Sequence, residues 1–600
     1  MDKQNGIVRW LLLGAGCFLL LAGLLLPADW IAGRVFASGA VDAVRQSGTA
    51  DRLAALRDQF RTGLGYLRWA LVALGGWCLA LGLMSRWLSG LRAVVVVRAG
   101  ESPGTARPAA RLEWLFPCGW FVLTTFMAWP LLAKGFEHTE VVNLLMLARR
   151  GPFVSMACQN LQPRVAQPAF TVVESLFVRF FGESEVVARL PALLMGAAAL
   201  FPMYILTRRF GSAWFANVAC AALSVTGFFL FYLSYARGYA LTTTAYLGCL
   251  ALFLMLRERD EWRWWVLLGF LVIVACYAHM ASAAYIFFLG SVFLFQRLWA
   301  AWRTKDGRLV AAVARPVVTL VSAILVLAVL YAVTIPTELK YTRTFSPTNY
   351  YMAYHVNARF LRVMADLWSW VRACPAVAWL QVALCVLGLA IGWRRWPGQT
   401  ALLALPALAG LALMRAQNLA VYPRYLIGFM PVYVFFCVLP LARLLQSPRA
   451  RVRALVGIVA FGLFSVTATA TLARLYRMER CGVRAAVQDF RETRRPGERL
   501  LGVLDGYVTV RYYEPVVSSG YSGADFWREI GSNAPPEYLI SVPYQDFDIP
   551  GATAAMRERY ALLHAYPSWL DVDDDQDSVY LYVLKTRAYG VATRRDGAGE

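Results

Sequence analysis

Thirteen long apolar runs constrain this chain more than any other feature of its sequence. VRWLLLGAGCFLLLAGLLL near the N-terminus and LVAAVARPVVTLVSAILVLAVLY in mid-chain are typical. An apolar segment of about 18 or more residues is long enough to cross the hydrocarbon core as a helix. Only a helix or a closed barrel satisfies its own backbone polar groups there. The runs fall at about 7–27, 66–86, 112–133, 188–208, 212–233, 239–256, 262–278, 281–298, 311–335, 376–393, 400–415, 423–446 and 452–474. A chain of 600 residues that is 59% hydrophobic, with a mean hydropathy of +0.51, lies outside the range of soluble domains. The expected fold is a polytopic α-helical membrane protein with about thirteen transmembrane helices.

The net charge of +22 first suggests nucleic acid. Its placement excludes that partner. Arg86, Arg92, Arg98, Arg107 and Arg111 share one connector, Arg208 and Arg209 the next but one, and the alternation continues through Arg257–Arg263, Arg297–Arg308, Arg394–Arg395 and Arg443–Arg453. Basic residues in alternate short loops set orientation in a bilayer. This puts the N-terminus in the cytoplasm and the C-terminal segment on the outer side of a bacterial-type inner membrane. The first run follows Lys3 and lacks a small-residue cleavage site, so it is expected to stay as an anchor. Most of the eleven cysteines sit singly inside apolar runs. Cys158, Cys374 and Cys481 lie outside them, where sequence alone cannot pair them.

Three regions follow. Residues 1–111 hold two transmembrane helices joined by a connector whose charges follow a helical period. Residues 112–474 hold the remaining spans and two large outer loops, 134–187 and 336–375; the second carries Trp368 and Trp370 at the interface. Residues 475–600 turn polar, with strand-like stretches LLGVLDGYVTVRYY and DSVYLYVLK, and read as a small α/β domain.

Chemistry concentrates where the third span ends. AKGFEHTEVVN brings Glu137, His138 and Glu140 into one short turn. The two carboxylates are a solvated helix cap or a general base and metal ligand over a lipid-facing pocket. Arg237 in YARGYAL and Arg424 in PRYLIGF stand at span ends, either snorkelling to the lipid surface or holding a phosphate through bidentate hydrogen bonds. His279 interrupts another apolar run. All four histidines, His138, His279, His355 and His564, fall on or near the expected outer side.

In order and spacing these pieces resemble the GT-C membrane glycosyltransferases, in particular the glycosyltransferase family 39-like group of protein O-mannosyltransferases and lipid A aminoarabinose transferases. EHTEVVNLLMLARRG resembles the family's acidic pair, VVARLPALLMG its Arg-Leu-Pro, YARGYAL its Glu-Ala-Arg-x-Tyr-x-Leu turn, AHMAS its Thr-His-Tyr turn, and PRYLIGF its late Arg-Tyr-Leu. The likeness covers about residues 112–590. It implies a GT-C-like fold and transfer of a sugar, with inversion, from a polyprenyl-phosphate-linked donor to an envelope glycan, lipid or protein acceptor. It implies Glu140 as the base, with Glu137 or His138 as partner, and substrate binding by Arg189, Arg237, Tyr239, His279, Arg424 and Tyr425. A divalent cation is compatible with the resemblance but has no assigned ligand here. Thr139 replaces the first acid of the pair, Tyr235 the Glu of the Arg-containing turn, and Ala278 and Met280 flank His279. A catalytically degenerate relative that binds the carrier lipid as a scaffold in polysaccharide assembly is the alternative.

Overall fold

The computed structural model describes residues 2–37, 50–91, 96, 111–157, 167–280, 282–304, 309–336, 374–416, 423–477, 481–503, 505–520, 523–541, 551–566 and 579–587. Most of the 336–375 loop, with His355, Trp368 and Trp370, lies outside the described residues, as does Cys158. Cys374 is a free thiol and Cys481 is buried.

The expected spans reappear as helices. Among the described residues, ten are long and apolar enough to cross a membrane, one further pair is bent, and Trp262–Ala278 and Pro397–Leu413 are shorter apolar helices. Together these coincide with the thirteen apolar runs, and the protein is an integral membrane protein. The spans differ in surroundings. Tyr239–Leu256 is 72% buried within the protein, whereas Leu309–Tyr331 is 11% buried and turns most of its surface outward. Hydropathy cannot separate these cases, because lipid tails and a protein core are equally apolar.

Two features were not legible as periodicity. The run read as one span at 212–233 is two helices, Ala213–Ser224 and Gly227–Leu233, bent by 67°. The break falls at Val225–Thr226–Gly227, and a Cβ on Gly227 would stand 2.8 Å from Thr471 Cγ2, so the close crossing there requires glycine. At the other end of the chain, the connector expected along the interface leads into one continuous helix, Ala50–Gly90, of 41 residues. It forms a hairpin with Asp2–Leu25, where a Cβ on Gly75 would lie 2.7 Å from Leu20 N. The hairpin meets the bundle through Trp77 Nε1, which donates to Ser322 Oγ at 2.8 Å.

The C-terminal segment builds a five-stranded mixed sheet from β1 (Leu500–Val503), β2 (Ser518–Gly520), β3 (Tyr538–Ser541), β4 (Tyr560–Tyr566) and β5 (Val579–Leu584). The order is β2-β1-β3-β5-β4. β1 runs parallel to β2 and β3, and β5 is antiparallel to β3 and β4. The expected strand in DSVYLYVLK is β5. The stretch expected to continue the first strand is corrected: Asp505–Tyr513 is a helix. Its alternating pattern imitates a strand. On a helical period, however, Val508 and Tyr512 pack on the transmembrane core while Val510 joins the core of the sheet. A helix can bury two such faces at once, and that double burial decides its conformation.

Candidate functional site

The short helix His138–Met146 begins with Glu137 as its N-cap and a reciprocal capping box. The Glu137 side chain accepts from the Glu140 backbone, and Glu137 N donates to Glu140 Oε2 at 3.0 Å. This E-x-x-E spacing satisfies two of the helix's free N–H groups and turns Glu140 inward.

Glu140 is fully buried. Arg189, from the Arg-Leu-Pro of helix Glu185–Ala197, meets it in a fork: Nε donates to Oε1 at 2.9 Å and Nη2 to Oε2 at 2.5 Å. Ala236 N donates to Oε1 at 2.7 Å. The remaining N–H groups of Arg189 go to the carbonyls of Leu132 (2.9 Å), Gly135 (3.0 Å) and Lys134. All five donors of the guanidinium are thereby matched, and so are four acceptor positions on the carboxylate. A buried ion pair is tolerated only with such complete pairing. Glu140, expected as a base, therefore stands as an anchor tying the first loop, the Arg-Leu-Pro helix and the YARGY turn together. It presents no open lone pair for a substrate proton.

The carboxylate left accessible on this turn is Glu137, which is half-buried, as are His138 and Thr139. Thr139 Oγ1 lies 3.3 Å from Glu137 Oε1 and 2.9 Å from the Tyr235 hydroxyl. Both contacts are satisfied when Tyr235 donates to Thr139 and Thr139 donates to Glu137. Two of the substitutions that depart from the resembled family, Thr139 and Tyr235, thus touch one another.

Behind this turn lies a second polar layer. Arg237 is 5% exposed, and its Nε donates to Gln167 Oε1 at 3.1 Å; Gly238 N donates to the same oxygen. A Cβ on Gly238 would fall 2.6 Å from Ala278 O, so glycine alone lets the YARGY turn close on the His279 turn. Tyr239 stacks on Tyr235 with ring centroids 5.9 Å apart, and lies 5.2 Å from the His279 ring and 5.8 Å from Arg237 Cζ. Asn143 Nδ2 donates to Glu174 Oε2 at 2.5 Å, and Thr171 Oγ1 donates to Asn143 Oδ1 at 2.9 Å. Among the described residues, Arg237 Nη1, Gln167 Nε2 and Glu174 Oε1 are buried without a hydrogen-bond partner. Burial, reinforced by the charge of Glu140, pushes the Glu174 carboxyl well above its ordinary value; Asn143 and Arg237 pull it back in part.

The structure accordingly brings together Glu137, His138, Glu140, Arg189, Arg237, Tyr239 and His279. Arg424 and Tyr425 lie on the 3-10 run Pro423–Phe429, and their side chains are outside the described residues. Sequence reasoning missed Gln167, Asn143 and Glu174. A signal existed: Asn143 follows Glu140 by three positions, and Glu174 follows Gln167 by seven, so each pair shares a helix face. Among the described residues no three His, Cys, Asp or Glu side chains converge where a metal ion could be held.

The sheet region closes over the same loop. Phe136 N donates to the Tyr513 hydroxyl at 2.8 Å, and that hydroxyl donates to Glu185 Oε1 at 3.2 Å. Tyr512 sets its ring edge-on to Phe136 at 5.3 Å, and Arg189 Cζ lies 4.9 Å from the Phe136 ring.

Residues 162–330 match the model of the dolichyl-phosphate-mannose-protein mannosyltransferase family. No curated protein matches the chain. Among solved structures, the chain is similar to ArnT from Cupriavidus metallidurans bound to undecaprenyl phosphate. That similarity has 15% identity and a TM-score of 0.46, covering 79% of this chain and 98% of that one. It is also similar to the oligosaccharyltransferase AglB from Archaeoglobus fulgidus in complex with an inhibitory peptide and a dolichol-phosphate, at 11% identity and a TM-score of 0.43, covering 76% and 73%. The family match spans the segment that supplies Gln167, Glu174, Arg189, Arg237 and His279, and over that segment the chain is similar to the dolichyl-phosphate-mannose-protein mannosyltransferases.

Proposed function

We propose that this chain transfers a sugar from a polyprenyl-phosphate-linked donor to a hydroxyl of an envelope acceptor, on the extracytoplasmic face. One observation carries the reading: a buried arginine, Arg237, with an unpartnered Nη1 beside the unpartnered Nε2 of Gln167, at the end of a transmembrane helix. Two buried donors with no acceptor fit an oxyanion, and a guanidinium fits phosphate oxygens best.

In the reaction the acceptor oxygen attacks the anomeric carbon as the bond from that carbon to the phosphate oxygen breaks. The acceptor proton passes to a carboxylate. Glu137 takes this role, since it is the open carboxylate of the loop, and His138 stands beside it. Arg237 and Gln167 hold the departing phosphate, and Glu174, whose neutral form is favoured by burial, donates a hydrogen bond to it when protonated. Charge placed in advance where charge develops is a large source of rate enhancement. Glu140 and Arg189 position the turn. Tyr239 and His279 form the wall that faces the sugar.

The test is sugar transfer in vesicles from a panel of polyprenyl-phosphate sugars, with lipid binding measured separately. Glu137→Gln should slow transfer about 100- to 10,000-fold with binding retained. Arg237→Ala should weaken carrier binding, with Lys restoring it only in part. Parent-like transfer by both variants would sink the assignment. Thr139 in place of the family's acid favours the scaffold reading, and a parent that binds the carrier but transfers nothing across the panel would establish it.

A further inference from the structure

The helix Tyr239–Leu256 leads away from the Arg237 turn and ends at Arg257, some 27 Å further on at about 1.5 Å per residue. Arg257 thus stands at the opposite end of the bundle. An arginine there that only sets topology reaches into water, as exposed Arg259 does. Arg257 is instead 8% exposed. Its Nε and Nη1 are buried without a hydrogen-bond partner among the described residues. The neighbouring carboxylate, Glu258, favours the charged guanidinium from a distance but makes its ion pair with Arg209. Burial pulls the guanidinium down to about 10, which still leaves it charged at neutral pH.

Its position adds a second anomaly. The guanidinium lies against Gly398, the second residue of helix Pro397–Ala416: a Cβ there would stand 2.7 Å from Arg257 Nη2 and 3.3 Å from Cζ. A helix N-terminus carries about half a positive charge. The fold therefore buries a cation against the positive end of a helix, with exposed Arg394 and Arg395 just ahead of it. Such an arrangement is stable when an anion beside the contact bridges the guanidinium and the turn, because helix N-termini and guanidinium groups both bind oxyanions.

We propose that Arg257 and the first turn of helix Pro397–Ala416 form a second anion site, at the bundle end opposite Arg237, which binds a phosphate group. A phospholipid headgroup and free phosphate both supply that chemistry, and the level of a span end is where lipid phosphates lie. The site is independent of the transfer reaction proposed above.

The experiment uses the full-length chain, purified in detergent and stripped of lipid, with unfolding followed as inorganic phosphate, phosphatidylglycerol micelles or phosphatidylcholine micelles are added. The parent should gain about 3 °C or more from phosphate or from phosphatidylglycerol. A response to phosphate alone identifies the free anion, and one confined to phosphatidylglycerol identifies the headgroup. Arg257→Gln should unfold no earlier than the parent without ligand, since it removes an uncompensated buried charge, and should lose the response. Gly398→Ala should weaken the response, because the new methyl displaces the guanidinium. Arg237→Gln removes anion binding at the first site only and should keep the part of the response that Arg257→Gln loses, which separates the two sites. The proposal is overturned if Arg257→Gln responds like the parent, if the parent responds to neither ligand, or if Arg257→Gln is destabilised without ligand. The last result would mean that Arg257 has a partner within the chain.

Discussion

Three carboxylates within one loop region carry different chemistry because their surroundings differ. Glu140 is buried with every acceptor position used, Glu137 is half-open, and Glu174 is buried with one oxygen unpartnered. Replacing Glu140 with Gln leaves Arg189 charged in a fully buried place, at an expected cost of about 3–5 kcal/mol. Replacing both partners with apolar residues of similar volume should cost much less. Chemical unfolding of the two variants measures this, and a Glu140→Gln variant within 1 kcal/mol of the parent would contradict the anchor role. For Glu174 the sign follows from its raised carboxyl. Its native state binds the proton more tightly than the unfolded chain does, so its contribution to stability is fully present below the ordinary glutamate value. It is lost as pH rises toward the raised native value. Glu174→Gln should therefore match the parent near pH 4 and exceed it in stability at pH 8. An equal difference at both pH values would show that the side chain is not neutral in the fold.

Among the elements, the helices of the bundle follow from hydropathy, but their breaks follow from contacts. The bend at Gly227 and the closure at Gly238 both depend on a missing Cβ. At Gly238 the obstacle is the backbone oxygen of Ala278, which cannot swing aside as a side chain can. Gly238→Ala should separate the YARGY turn from the His279 turn, cost about 1–3 kcal/mol, and weaken carrier-lipid binding with it. Lipid binding equal to the parent would show that this closure does not shape the pocket. The helix Asp505–Tyr513 teaches the same lesson. Its residues alternate like a strand, yet the two cores on either side of it select a helix. A single chain segment does not contain that information.

For the molecule as a whole, the sheet region and the transmembrane bundle are joined at the candidate site itself. Tyr513 ties Phe136 N to Glu185, and Arg484 Nη1 donates to Ala133 O at 2.8 Å. Tyr513→Phe leaves the buried Phe136 N–H without its acceptor, a loss of about 1–3 kcal/mol. Hydrogen exchange at Phe136 and across 505–513 should accelerate, with the strands β3 and β5 unaffected. Unchanged exchange at Phe136 would mean that the hydroxyl does not hold the loop.

What the residues determined alone was the placement of the apolar helices and the mixed α/β character of the tail. Each of these rests on composition within a window or on short ordered motifs: apolar length, turn chemistry, and acidic and basic residues at span ends. Which carboxylate is sealed and which is open was decided only by the tertiary structure. Arg189 lies 49 positions from Glu140, and Ala236 lies 96 away. Whether a glutamate faces four donors or two depends on which helices cross there, and no local pattern encodes that crossing. The same holds for Arg257. It sits among the topological arginines in sequence, and only the packing of Pro397–Ala416 against it leaves it buried and unpaired among the described residues.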